Sequence, residues 1–235
     1  MGLFVSCDGK WISKDKSGGK MAKRYRKRLY LEVGVKVISG VTEGHVASDI
    51  VAKANEIDAD LIYIPVTRKN VVQLTLLGST SRDVMRLTDK PTFVHKTRPK
   101  LVEEKPIENM MFATDFSKGT EKAKERLKDY SRAAKNLILI YVGRRAADPM
   151  SEHKRRGVVN NKLGELNEEL TPYFESIKTV NEIGTPYKVI LSYSSKMDVD
   201  LVVLGKFTRR SVSKFTGSTA ENVIHKAESS ILLVP

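Results

Sequence analysis

From Met110 to Pro235, short apolar runs alternate with longer stretches in which apolar residues recur every three or four positions. The runs Met110–Asp115, Leu137–Val142, Ile177–Glu182, Leu201–Leu204 and Ile231–Val234 predict five strands. The periodic stretches Thr120–Ala134, about Asn161–Glu175, Tyr187–Ser195 and Thr219–Ala227 predict four helices between them. The residues from Gly143 to about Asn160, rich in Arg, Lys, Asp and Pro, read as a solvated loop. The strands are apolar at successive rather than alternate positions. That predicts a parallel sheet covered by helices on both faces, in an α/β fold.

The pattern occurs twice, at a period of about 140 residues, which is the size of one domain. Gly44 aligns with Gly184, Ile50 with Ile190, Asp58 with Asp198, Asp60 with Asp200 and Leu61 with Leu201, each pair 140 apart. After a one-residue deletion Gly78-Ser-Thr80 aligns with Gly217-Ser-Thr219, and Val84 with Val223, each 139 apart. The expected division is a truncated, degenerate copy over 1–98 and a complete copy over 107–235, with Arg98–Pro106 as the linker. The first copy has no room for its first strand and helix, because the counterpart of Met110 would lie before Met1. Leu3-Phe-Val5 fits its second strand, Met21–Glu32 its second helix and Val35–Ser39 its third strand. Either the gene start has been clipped or another segment fills the gap.

Charge adds one question. The formal net charge is +13, and Lys20, Lys23, Arg24, Arg26, Lys27 and Arg28 fall in a stretch without an acid. Such a run suits a nucleic-acid or anionic-membrane patch. It equally suits the solvated face of a helix whose apolar stripe is Met21, Tyr25 and Leu29, spaced i, i+4, i+8. The absence of zinc-finger spacing and of ribonucleoprotein-type aromatic motifs favours the solvated face, so nucleic acid is not expected as a partner. No run approaches the roughly 18 uninterrupted apolar residues of a membrane span. Leu3-Phe-Val5 is too short for a secretory h-region, and the single Cys7 forms no intramolecular disulfide. Cytoplasm is the expected compartment.

The segment Met111-Phe-Ala-Thr-Asp-Phe-Ser117 carries the candidate chemistry. It delivers a carboxylate, Asp115, to a strand end, where open parallel sheets bind ligands. An Asp after a strand also serves as a helix N-cap. Two further features join it: Asp200-Leu-Val-Val-Leu-Gly205, a strand ending in Gly, and Gly217-Ser-Thr219, a helix start. A helix N-terminus of that kind suits phosphate. His45, His95, His153 and His225 have no Ser or Cys partner by motif and read as surface or helix-end residues. There is no Walker-type Gly-Lys-Ser/Thr loop and no Cys/His cluster with metal-ligand spacing.

These residues resemble the universal stress protein family. Ala113-Thr-Asp-Phe-Ser117 is similar to that family's first strand, and Gly205 and Gly217-Ser218 match the two ends of its phosphate loop, which reads Gly, two residues, Gly, nine residues, Gly-Ser/Thr. The resemblance implies a doubly wound α/β fold with five-stranded sheets of order 3-2-1-4-5 and, in one branch of the family, a bound ATP. It places adenine and ribose against Ala113, Asp115 and Val142. Gly205 would admit the ribose, and Thr208, Gly217, Ser218 and Thr219 would line the phosphates, with Mg2+ accompanying them. Thr208 stands where the family has its middle Gly, and the interval to Gly217 is eight residues. Arg209 and Arg210 either compensate by contacting phosphate or are solvated loop charges. In the first copy Pro65 and Arg68 replace the two glycines, so that copy is expected not to bind ATP.

The expected function is a regulatory module, not an enzyme, that holds ATP or a related adenine nucleotide in its second copy and acts through an unknown protein partner. The alternative is an interaction or scaffold protein that binds no nucleotide. The resemblance also implies that the two fifth strands, Thr92–His95 and Ile231–Val234, meet in an intrachain pseudo-dimer or a homo-oligomer.

Overall fold

The computed structural model describes residues 3–4, 45–67, 78–97, 107–131, 134–206 and 218–235. In chain order the elements are β1 (Leu3–Phe4), α1 (Val46–Glu56), β2 (Ile62–Thr67), α2 (Ser79–Leu87) and β3 (Thr92–Thr97). There follow β4 (Asn109–Ala113), α3 (Lys118–Tyr130), β5 (Asn136–Gly143), α4 (Pro149–Leu170), a 3-10 turn (Thr171–Tyr173) and β6 (Ser176–Ile183). The chain closes with α5 (Pro186–Lys196), β7 (Leu201–Gly205), α6 (Ser218–Lys226) and β8 (Ser230–Val234). The segments Met21–Glu32 and Val35–Ser39, the basic run, Cys7 and the linker lie outside the described residues.

The strands form one eight-stranded sheet of order β1-β2-β3-β8-β7-β4-β5-β6. Within the second copy the order is third-second-first-fourth-fifth, and every neighbouring pair is parallel. The two copies join through β3 and β8, the one antiparallel pair described, with Thr92 opposite Leu233, Phe93 opposite Leu232 and Val94 opposite Ile231. Each fifth strand is thereby paired on both sides instead of leaving an edge of unpaired N–H and C=O groups.

The first copy differs from expectation at its start. Leu3–Phe4 pairs in parallel with β2, Leu3 opposite Ile62 and Phe4 opposite Tyr63. That is the slot β4 takes beside β7 in the second copy. Two residues of the segment assigned by sequence to a second strand thus stand in the first strand's place.

A second difference is α4. It begins at Pro149, so most of the segment read as a loop is helical. Asp148 caps it, its carboxylate accepting the Ser151 N–H at 2.9 Å, and Pro149 supplies a preset φ in the first turn. The charges that suggested a loop make i, i+3 and i, i+4 pairs instead: Glu152 accepts from Arg155 at 2.7 Å and from Arg156 at 3.0 Å. The helix ends at Leu170, one residue after which Pro172 opens the 3-10 turn with Thr171.

Apolar residues on successive strand positions supply two cores. One lies between the sheet and α1, α2, α5 and α6, and spans both copies: Ile62, Ile64 and Val94 share it with Met111, Val202 and Ile231. The other, under α3 and α4, is built from Met110, Phe112, Leu127, Leu139, Leu163 and Val203. Among the described residues no helix is long and apolar enough to cross a membrane.

Candidate functional site

The chain leaves β4 toward β5 and β6 on one side, then crosses back to β7 and β8 on the other. Its direction therefore reverses between β4 and β7, and in open α/β sheets the crevice beyond the strand ends at such a point receives ligands. Asp115 and Gly205 sit there. Ala113 is opposite Ile140 on one side and Leu204 on the other, so the ends of β5 and β7 flank the approach to Asp115. The Thr114 N–H donates to the Ile140 carbonyl at 3.0 Å, carrying the pairing with β5 one residue past the strand.

Strand alternation aims the expected residues to one face. Ala113 and Val142 pack against the core that holds Ala220 and Val223 of α6. Ser218 and Thr219 begin α6 on that same side, Ser218 exposed and Thr219 half-buried. The structure thus gathers Ala113, Asp115, Val142, Gly205, Ser218 and Thr219 at one sheet end. Thr208, Arg209, Arg210 and Gly217 lie outside the described residues.

Asp115 is exposed, yet one of its oxygens is engaged. Oδ1 accepts the Ser117 N–H at 2.9 Å and stands 3.4 Å from the Thr120 hydroxyl, which itself donates to the Ser117 carbonyl at 2.9 Å. Thr114 makes the companion turn, its hydroxyl accepting the Phe116 N–H at 3.0 Å. The N-cap of α3 is Ser117, so Asp115 stands two residues before it, and its Oδ1 fixes the turn that leads into the helix.

Phe116 holds that turn. Its φ of +56° is the left-handed region, which costs a non-glycine residue roughly 1–2 kcal/mol. Its ring stacks on Tyr141 with centroids 5.4 Å apart, and the Lys162 ammonium lies 5.2 Å above it. Those contacts offset the backbone cost and swing the chain from strand into helix immediately behind the carboxylate.

Gly205 has a packing reason as well as the ligand reason expected for it. A Cβ there would lie 2.8 Å from the Gly119 carbonyl carbon and oxygen and 3.0 Å from the Thr120 nitrogen. A Cβ on Gly119 would in turn meet the Lys206 carbonyl oxygen at 3.0 Å. Two glycines thus let the start of α3 rest directly on the end of β7. Gly119, Thr120 and Phe116 were given no role by sequence reasoning. Gly119 falls one residue before the helix start read from the sequence, Thr120, whereas α3 begins at Lys118 and holds it in the first turn, where a Gly weakens the helix unless something approaches closely.

The histidines do not converge. His45 precedes α1 and His153 is exposed on α4. His95, expected at a surface or helix end, is instead a half-buried strand residue stacked beside Phe93 and Tyr63, with Nδ1 3.4 Å from the Ser230 hydroxyl. Among the described residues no group of three or more His, Cys, Asp or Glu could hold a metal ion.

In structure the protein is similar to a universal stress protein from Archaeoglobus fulgidus DSM 4304, at 20% identity and a TM-score of 0.75 over 99% of this chain and 85% of that one. It is also similar to a putative universal stress protein from Pseudomonas aeruginosa UCBPP-PA14, at 19% identity and a TM-score of 0.64 over 99% of this chain and 81% of that one. A functionally unknown protein from Pseudomonas aeruginosa PAO1 shows the same likeness at 17% identity and a TM-score of 0.64, again over 99% of this chain and 81% of that one. No curated protein matches the sequence. The model of the universal stress protein family matches residues 11–96 and again 106–235, so the chain belongs to that family and carries its domain in tandem.

Proposed function

We propose that the second copy binds an adenine nucleotide, ATP or a close relative, and acts as a regulatory module in the cytoplasm through a protein partner. The observation that carries this reading is Asp115: an exposed carboxylate at the topological switch point, with Oδ1 tied to the turn that leads into α3. A carboxylate there can accept ribose hydroxyl hydrogen bonds, each worth about 1.5–3 kcal/mol for a charged acceptor. Ala113 and Val142, both partly exposed, offer a small apolar surface for a purine ring. The start of α6 turns backbone N–H groups and the hydroxyls of Ser218 and Thr219 toward the phosphates, where the positive end of the helix dipole favours them.

Among the described residues no group of three or more His, Cys, Asp or Glu could hold a metal ion, and a Mg2+ ion would come to the site with the nucleotide's phosphates. No reaction is assigned to the site, and its output is a change in what the protein binds.

Calorimetric titration of ATP into the wild type and Asp115→Ala tests the reading. Loss of the ribose contacts weakens binding by roughly 2–4 kcal/mol. Equal affinity in the two proteins removes Asp115 from the site. Absence of heat with the wild type removes the nucleotide, and leaves the paired copies as an interaction module.

A further inference from the structure

Lys206 follows Gly205 directly and is 3% exposed, an unusual position for a cation. Its backbone N–H donates to the Val234 carbonyl of β8, and its side chain leaves the second copy altogether. Nζ donates to the Thr88 carbonyl at 2.6 Å and approaches the Arg86 carbonyl at 3.4 Å. Arg86 is in the last turn of α2 and Thr88 is its C-cap, so the ammonium sits at the negative end of a helix in the first copy, where a cation is stabilised. Lys96 makes the mirror contact: it is 6% exposed, extends from β3 of the first copy, and donates to the Ile224 carbonyl near the end of α6 at 2.7 Å. Each copy thus sends one buried lysine onto the final helix of the other.

The two exchanges are not equivalent, because only Lys206 adjoins the candidate site. Its own carbonyl and Gly205 are the surface on which Gly119 and Thr120 rest, and the Thr120 hydroxyl reaches Asp115. A continuous set of contacts therefore runs from the end of α2, through Lys206 and Gly205, to the first turn of α3 and its carboxylate. The first link is the buried Lys206 side chain, fixed at its ammonium by the end of α2; the next is a close backbone contact, and the last is the approach of the Thr120 hydroxyl to Asp115.

We propose that the degenerate first copy controls nucleotide affinity in the second, with Lys206 as the positioning residue that transmits the docking of α2 to the ribose-binding carboxylate. This rests on the nucleotide reading above and gives the first copy a role that does not need a site of its own. Coupling of this kind is reciprocal: if docking of α2 tightens ATP binding, ATP must stabilise the end of α2 by the same factor.

Three measurements test it. In the wild type, hydrogen exchange followed by mass spectrometry, with and without saturating ATP, should show slower exchange at Met85–Thr88 when ATP is bound. Lys206→Met, its fold checked by circular dichroism, should bind ATP about fivefold more weakly or worse, and Lys206→Arg should recover most of that loss. Unchanged affinity in Lys206→Met, or, should that variant not fold, an α2 end indifferent to ATP in the wild type, overturns the proposal. If the wild type binds no ATP, the nucleotide reading fails by itself and the coupling is read without ligand. Faster exchange of the Thr120 and Glu121 amides, both bonded to the Ser117 carbonyl, in Lys206→Met than in the wild type then supports the contact path, and equal rates end it.

Discussion

The two copies keep the same turn in the same place and differ in what they present beside it. Asp58 and Asp198, 140 residues apart, both take left-handed φ values, 47° and 48°. Each follows a helix, and the next residue's N–H reaches back into it: Ala59 to the Ala54 carbonyl at 2.8 Å, Val199 to the Ser194 carbonyl at 2.9 Å. Ile64 and Leu204, likewise 140 apart, fill the same shared core. At the strand end the likeness stops. Where β7 finishes at Gly205, the equivalent Pro65 lies inside β2, which runs on to Thr67. A proline ring at Gly205 would fall on the Gly119 and Thr120 backbone. The positions that set strand and turn geometry are therefore separable from the one at the strand end: the copies share the first set, and differ in having Gly205 or Pro65 at the second.

The largest test of this comparison is the repeat pair itself. Ile64→Ala and Leu204→Ala remove equivalent side chains that are 0% and 4% exposed, and each should cost about 2–5 kcal/mol. Their consequences should spread differently. Among the described residues β7 is held by four pairs to β4 and five to β8, and β2 by six pairs to β3 and two to β1. Opening either copy deprives the other's fifth strand of its antiparallel partner, while β8 keeps β7 and β3 keeps β2. Exchange should thus accelerate most in β2 and α2 for Ile64→Ala, and most in β4, β7 and β8 for Leu204→Ala. Acceleration of β4 and β5 by Ile64→Ala to the same degree would show that the copies unfold as one unit.

A smaller effect separates a strand-end glycine of the second copy from a helix-leading glycine of the first. Gly205→Ala forces a methyl against the α3 backbone and should cost about 1–3 kcal/mol. A methyl on Gly78 would meet nothing within 4 Å, and the backbone φ there is −58°, so Gly78→Ala should cost less than about 1 kcal/mol at its N-cap position. Thermal melting of the two variants would reveal equal shifts if the close contact at Gly205 were not specific to the second copy.

Much of this architecture is written in short-range pattern. The five strands of the second copy and the pairing of the two fifth strands follow from apolar runs and the repeat together with the family resemblance. The N-terminal half of α4 escaped because Asp148-Pro149 and the Arg-Glu run were weighed as loop composition, although Asp before Pro is also a cap followed by a first helical residue. Asp115 could be placed at a strand end, but the turn that its Oδ1 fixes depends on Phe116 adopting a left-handed φ. No local rule predicts that for an aromatic residue, because the compensation comes from Tyr141 and Lys162, distant in sequence. Lys206 was illegible for the same reason. A lysine after a buried strand reads as a surface charge until another domain's helix end is brought against it.

The smallest expected effect is one of acidity, and it asks which copy responds. Glu152, at the start of α4, has its pKa lowered from 4.5 to about 2, chiefly by the hydrogen bonds from Arg155 and then by the Ala146 N–H. A carboxylate whose folded pKa lies below its unfolded value contributes stability that is fully present above about pH 4.5 and is lost as pH falls toward 2. Glu152 lies in the second copy, so this contribution belongs there. Scanning calorimetry of the wild type and Glu152→Gln should show a difference in melting temperature at pH 6 that narrows through pH 4 and 3 and closes near pH 2. Exchange at pH 6 should assign it to α4 and β5, not to β2. A difference that stays constant across this range would mean that Glu152 acts through helix capping alone, since a hydrogen-bonding amide loses nothing further on acidification.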